Sequence, residues 1–427
     1  MNVRAIFKNK EIKNAGWLIG GRVIQMLLSL VVGIITARYL GPGNYGLISY
    51  GSAYVVFFTS VCTLGLNSTI VKELIDRPDE QGKTLGSAVF MRLLSSTLSV
   101  ALIVGIVAIV DAGEPLTITV VALCSLGLIF RTFETFHYWF QSRYQSKVTA
   151  MVTLAAYVAT SVYKIVLLAL GKNVVWFALA TVFDYLLVAV LLLLAYRKQG
   201  GARLKVSLAR GGSLLKVSYH YILASMMVAI YGQTDKLMLK QMLDETVVGY
   251  YATATTICTM WTFVLQAIVD SMYPTILRLK KENQTAYEKK NRQLYAVVFY
   301  VSCTVSVLFL LFGDLAVEIL YGKAYLPAAD VLKVVTWYTA FSFLGVARNA
   351  WIVSEGCQKY LKYMYGLAAA LNVLLNFVLI PFMGAVGAAL ASLITQMFTS
   401  IILPMCFKKM RPNARMMIDA ILLKGIK

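Results

Sequence analysis

Residues 15–37 read AGWLIGGRVIQMLLSLVVGIITA. As a helix this run is about 35 Å long, enough to cross the roughly 30 Å hydrocarbon core of a bilayer. One side chain in it is charged, Arg22. A basic start precedes it, with Arg4, Lys8, Lys10 and Lys13. The run is nevertheless too long for the apolar part of a secretion signal, and we read it as a retained first span. The same length criterion places helices at about 14–38, 44–71, 84–110, 116–139, 147–170, 174–196, 213–238, 246–274, 292–313, 330–353, 361–381 and 386–407. The expected fold class is therefore an all-α polytopic membrane protein with twelve transmembrane helices.

Composition supports that class. The 427 residues are 59% hydrophobic and 14% charged, with a mean hydropathy of +0.72, which excludes a water-soluble globular protein. A net charge of +20 raises nucleic acid as a partner, but the cations sit in short loops between apolar spans and not on a soluble face. No nucleic acid partner is expected. Scattered cysteines without a CxxC pair point to neither a disulfide framework nor a zinc site, and no cofactor is expected. Loops that carry Arg77, Lys83, Arg143, Lys147, Lys205, Lys289 and Lys359 alternate with loops that carry Asp111, Glu114, Asp244 and Asp314. The positive-inside rule then puts both termini in the cytoplasm.

The longest polar break, from Arg197 to Lys216, divides the spans into two sets of six. We expect an N-terminal lobe over 1–200, a cytoplasmic linker over 201–216 and a C-terminal lobe with a short basic tail over 217–427. Tyr45-Gly46-Leu47 opens span 2, and Val248-Gly249-Tyr250 opens span 8 half a chain later. Because each set has an even number of spans, equivalent helices run the same way. The repeats are then parallel, related by a pseudo-two-fold axis along the membrane normal, with a site expected between the lobes.

Five cations lie inside otherwise apolar spans: Arg22, Arg92, Arg131, Lys164 and Arg348. A cation at membrane depth costs at least about 2.5–3.5 kcal/mol on insertion scales, so a chain that repeats the cost lines a wet cavity or meets an anion. Arg22, Arg92 and Arg131 each fall about eight residues from the cytoplasmic end of their spans, which gives them one inner-leaflet depth. Lys164 is nearer the outer end of span 5, and Arg348 is near the inner end of span 10. All five are candidate substrate-binding residues, against the plainer reading that each snorkels or pairs with a carboxylate such as Glu134 or Asp184. Arg131, Glu134 and His137 are spaced along nearly one helix face, as a static ion pair or a proton relay. Asp184, Asp235 and Asp270 join Glu134 and His137 as candidates for ion coupling or gating. Asp235 and Lys236 point about 100° apart and cannot simply neutralise one another.

The run Ala37-Arg38-Tyr39-Leu40-Gly41-Pro42-Gly43-Asn44-Tyr45-Gly46 resembles the turn between the first two spans of bacterial polysaccharide (Wzx-type) flippases, of the multidrug/oligosaccharidyl-lipid/polysaccharide exporter superfamily. Leu64-Gly65-Leu66, Val71-Lys72-Glu73 and Asp235-Lys236 are similar to weaker family signatures, and the resemblance covers nearly the whole chain. It implies a flippase that moves undecaprenyl-pyrophosphate-linked oligosaccharide from the cytoplasmic to the outer leaflet of the bacterial inner membrane by alternating access. It also implies contact with membrane lipids, and with a polymerase and a chain-length regulator of the same pathway. An arginine set suits a pyrophosphate, because the guanidinium fork binds phosphate oxygens in pairs. The alternatives are a drug or peptidoglycan-precursor exporter of that superfamily, or a membrane glycosyltransferase or polymerase. No GxxxxGK[ST] phosphate loop is present in the sequence, so the energy is expected from the membrane potential, an ion gradient or consumption of the product. A glycosyltransferase or polymerase would need catalytic groups and a sizeable outer loop, whereas the longest outer connection is about Asp314 to Ala329, and the expectation is not an enzyme.

Overall fold

The computed structural model describes residues 10–425, with the side chains of 10–19, 22, 68, 220, 221, 223 and 224 excepted. Arg4, Lys8 and the side chains of Lys10, Lys13 and Arg22 thus lie outside the described residues. Among those described there is no strand. The helices are α1 (Lys10–Cys62), α2 (Asn67–Asp76), α3 (Gln81–Val110), α4 (Pro115–Arg131), α5 (Thr135–Ser142), α6 (Ser146–Ala169), α7 (Val174–Lys198) and α8 (Leu208–Met242). They continue as α9 (Glu245–Thr259), α10 (Thr262–Glu282), α11 (Gln284–Tyr321), α12 (Pro327–Ser354), α13 (Leu361–Met397), α14 (Leu403–Cys406) and α15 (Arg411–Ile421).

Among the described residues seven helical stretches are long and apolar enough to cross a membrane, and α9 with α10, bent by 42°, form an eighth. Two of the seven are broken in the middle. Gly41 has φ +72° and Gly384 φ +56°, values that only glycine adopts freely, so α1 and α13 each split into two spans at the expected turns. Pro42 follows the first break, where its missing N–H is not needed. α8 and α12 occupy the remaining expected places and carry more polar side chains, including Asp235, Lys236, Lys333 and Arg348. The helices so placed match the twelve spans read from the sequence. Lipid-facing positions explain why Ile109 is 79% and Phe382 84% exposed.

Three helices depart from the sequence reading. Span 2 ends at Cys62, not near residue 71, because Leu64 and Gly65 both take positive φ and start the separate helix α2. Leu66, Ile70 and Leu74, spaced four apart, bury one stripe of that region against Phe136, Trp139 and Phe140. Span 4 is interrupted after Arg131 by a 3₁₀ turn, Thr132–Glu134, so Arg131, Glu134 and His137 do not share one continuous α-helical face. Span 12 contains a π-helical turn at Phe398–Ile402.

The chain forms two compact units. One runs to Leu40 and resumes over Leu47–Ala229; the other holds Gly41–Gly46 and everything from Ile230 onward. The change falls inside α8, at Ala229 and Ile230, and the 201–216 segment expected as a linker belongs to the first unit. The reason is local: residues 201–207 are irregular and bond to α3. Lys205 donates its main-chain N–H to Gly82 O at 3.0 Å, Ser207 N–H donates to Ser87 Oγ at 2.9 Å, and Arg210 meets Glu73 at 2.5 Å. The first unit's core gathers Phe136, Trp139, Phe140 and Tyr196. The second unit's core gathers Tyr287, Tyr295, Trp351 and Met417, with α15 packed on α11.

Within the second unit the two glycines of the internal echo meet. A Cβ on Gly46 would stand 1.7 Å from Glu245 O, and one on Gly249 would stand 2.1 Å from Pro42 O. Only hydrogen fits at either place. Asp244 caps α9 there, accepting from Val247 N–H at 2.9 Å.

Candidate functional site

In the first unit the break in span 4 turns hydroxyls toward α3. Arg92, 2% exposed, donates from Nη1 to Thr135 Oγ1 at 2.8 Å, and among the described residues its Nε has no hydrogen-bond partner. One turn along α3, Ser96 Oγ is 3.2 Å from Thr132 Oγ1. Arg131 donates from Nε to Glu134 Oε2 at 3.2 Å and from Nη1 to Thr59 Oγ1 at 3.0 Å, with its guanidinium 5.4 Å from the Tyr185 ring centre. Glu134, Tyr138 and Arg131 are all within electrostatic reach of Arg92. Among the described residues two guanidinium groups therefore share one carboxylate, and one positive charge is left without an ion-pair partner.

The other first-unit candidates are arranged differently. Lys164 has Asp184 as its electrostatic neighbour, and Asp184 accepts from Thr160 Oγ1 at 3.2 Å. His137 senses Glu134 and Arg92, but among the described residues no hydrogen bond joins it to Glu134. The carboxylate is held by Arg131 instead, so the relay is not assembled here. The Arg22 side chain lies outside the described residues.

In the second unit Arg348 is also 2% exposed. Its Nη1 donates to the main-chain oxygens of Thr399 at 3.2 Å and Ser400 at 3.5 Å, carbonyls of the π-helical turn; among the described residues its Nε has no partner. Asp270 is exposed and accepts from Gln266 Nε2 at 2.8 Å. Asp235 is 4% exposed and lies in a polar cluster between α8, α9 and α13. Its Oδ1 accepts from Asn376 Nδ2 at 2.7 Å, and its Oδ2 accepts from Ser392 Oγ at 2.6 Å and from the Tyr251 hydroxyl. Asn376 Nδ2 also donates to Asn372 Oδ1 at 3.0 Å, while Asn376 Oδ1 is buried and has no partner among the described residues.

Beside this cluster is a cavity of about 310 Å³, lined by Tyr231, Lys236, Tyr251, Thr255, Thr256 and Tyr338 among others. The sequence singled out Asp235 but missed Asn372, Asn376 and Ser392 as its partners. The available signal was the spacing of Asn372 and Asn376, one turn apart in an otherwise apolar helix.

The fold is that of the transporters of the MOP superfamily. An inward-facing multidrug resistance MATE family transporter superposes with a TM-score of 0.68 and 16% identity, over 91% of this chain and 95% of that one. Lipid II flippase MurJ, in an inward closed conformation, gives 0.71 and 13%, over 95% and 91%. A MOP superfamily transporter from Pyrococcus furiosus, described by the reverse polarity of its binding pocket, gives 0.61 and 14%, over 96% and 97%. Residues 12–280 match the family described as polysaccharide biosynthesis protein, and the chain belongs to that family. It is also 19% identical over 400 residues to the capsular polysaccharide biosynthesis protein CapF of Staphylococcus aureus, covering 90% of this chain and 96% of that protein.

Proposed function

We propose that the protein is a flippase that moves undecaprenyl-pyrophosphate-linked oligosaccharide from the cytoplasmic to the outer leaflet of the inner membrane, with both termini in the cytoplasm. The observation that carries this reading is the pair Arg92 and Arg131 around a single carboxylate, Glu134, in a chain of this family. A surplus of buried positive charge at inner-leaflet depth suits a pyrophosphate entering from the cytoplasmic side. Arg22 is assigned to the same capture step by its depth, and Lys164 to a later one nearer the outer leaflet. Arg348 serves the π-helical turn to which it is bonded. A drug exporter of cations would gain nothing from this surplus.

Of the coupling candidates, Asp235 is the best placed, as a buried carboxylate beside the unsatisfied Asn376 oxygen. The expected partners are the lipid-linked glycan, membrane lipids, and the polymerase and chain-length regulator that take up the product. Reconstitution tests the reading: purified protein in liposomes should relocate the lipid-linked glycan with its mass unchanged. A lengthened or transferred glycan would mean an enzyme, and relocation of cationic drugs alone would mean the exporter.

A further inference from the structure

Helix α15 and its flanks present five exposed cations, Lys408, Lys409, Arg411, Arg415 and Lys424. The one carboxylate between Lys408 and Lys424, Asp419, is held by Arg292 at 3.7 Å. Among the described residues none of the five cations has a carboxylate within ion-pair distance.

The opposite face of α15 fixes its depth. Met416, Met417 and Ala420 are buried in the core of the second unit, and Asn413 Nδ2 donates to the Tyr295 hydroxyl at 2.7 Å. The Tyr300 hydroxyl donates to Ile421 O at 2.6 Å. Arg292, Tyr295 and Tyr300 all belong to the first turns of the apolar stretch expected over 292–313, so α15 lies across α11 where that stretch meets water.

The exposed face has two chemistries. Arg411 and Arg415 are one turn apart, and Ile418 and Leu422 continue the same face at the spacing of further turns. Leu422 is 56% exposed and Leu423 59%. Positive-inside bias accounts for cations in a loop, but not for their confinement to one helix face that ends in exposed leucines. Water suits the cations alone and hydrocarbon the leucines alone. The boundary between headgroups and acyl chains takes both.

We infer that α15 with its flanks is a docking surface for anionic phospholipids of the cytoplasmic leaflet, the cations meeting the phosphates and Leu422 and Leu423 entering the acyl chains. The inference goes beyond the transport reading and takes from it only the cytoplasmic side. The test is the melting temperature of the purified full-length protein in neutral detergent, titrated with phosphatidylglycerol, phosphatidylcholine, poly-glutamate or inorganic phosphate. Flipping is not read, so failure of the transport reading leaves this test intact.

Phosphatidylglycerol should raise the melting temperature well beyond phosphatidylcholine, and the difference should shrink in high salt. A variant combining Lys408→Gln, Lys409→Gln, Arg415→Gln and Lys424→Gln changes only exposed side chains and should melt normally without lipid. Arg411 is kept, because its Nε donates to Met405 O at 2.7 Å. The variant should need at least about tenfold more phosphatidylglycerol for the same shift, since each cation near an anionic surface contributes roughly fivefold. Leu422→Gln with Leu423→Gln should also weaken the response to the lipid. An equal phosphatidylglycerol response in the four-cation variant, or one that high salt leaves unchanged, overturns the inference. So does a shift of the same size with inorganic phosphate, which needs no lipid, or with poly-glutamate, which assigns the face to an acidic partner in solution.

Discussion

Arg92 and Arg348 are equally buried, and they separate two uses of a buried cation. Arg348 donates to two main-chain carbonyls of a π-helical turn. Its removal takes a charged donor from those buried oxygens, and a hydrogen bond to a charged group is worth about 1.5–3 kcal/mol. Arg348→Met should therefore lower the melting temperature and membrane abundance, while flipping per folded molecule is retained. Arg92 donates to the Thr135 hydroxyl, lies beside Tyr138, and shares its surroundings with Arg131 and Glu134. Arg92→Met and Arg131→Met should each slow flipping about ten- to a hundredfold at matched abundance, and Arg→Lys should recover only part, since an ammonium lacks the paired donors of the guanidinium. Normal flipping by the double variant would return both arginines to a structural part. Asp235→Asn sets an amide N–H₂ against groups that already donate to that position. Loss of the dependence of flipping on an imposed ion gradient, at a rate above background, is the outcome expected of a coupling group.

At the scale of elements, the segment 201–207 behaves as part of α3's surface. A Cβ on Gly86 would stand 2.4 Å from Lys205 O, so Gly86→Val must displace the strap, and Glu73→Gln weakens its ion pair with Arg210. Both should speed trypsin cleavage at Arg203 and Lys205 relative to wild type; unchanged cleavage would mean the strap is held elsewhere. The sequence showed a polar break here but not its docking, because its partners Gly82, Ser87 and Glu73 lie more than a hundred residues earlier and one sequence does not pair them. The Gly41-Pro42-Gly43 turn was legible for the opposite reason, since its positive φ demands glycine. Span positions followed from apolar length, whereas the interruptions after Arg131 and at Phe398–Ile402 did not. Each is a local change of hydrogen-bond register inside an apolar run. Asp235 was legible as a charge in a span, but its partners depend on helix rotation, which one sequence does not determine.

At the scale of the whole molecule, the alternation of basic and acidic loops predicts a topology that reporters can read: the loop at Lys172 outside, and the segments at Lys205 and Lys289 inside. A cytoplasmic Lys172 would overturn the map. The six residues Gly41–Gly46 carry a different consequence. They are flanked on both sides by chain of the first unit, yet they pack with the second, where Gly46 and Gly249 leave room only for hydrogen. If the polypeptide is severed within 201–207 and the two pieces are synthesised separately, the later piece lacks a strip of its own interior. Made alone it should be degraded, and co-synthesis of the earlier piece should rescue it. Gly46→Leu in the earlier piece should abolish that rescue. Fragment complementation would then depend on a hexapeptide donated from one piece to the other, and any shuffling of halves between relatives would have to carry Gly46 and Gly249 together.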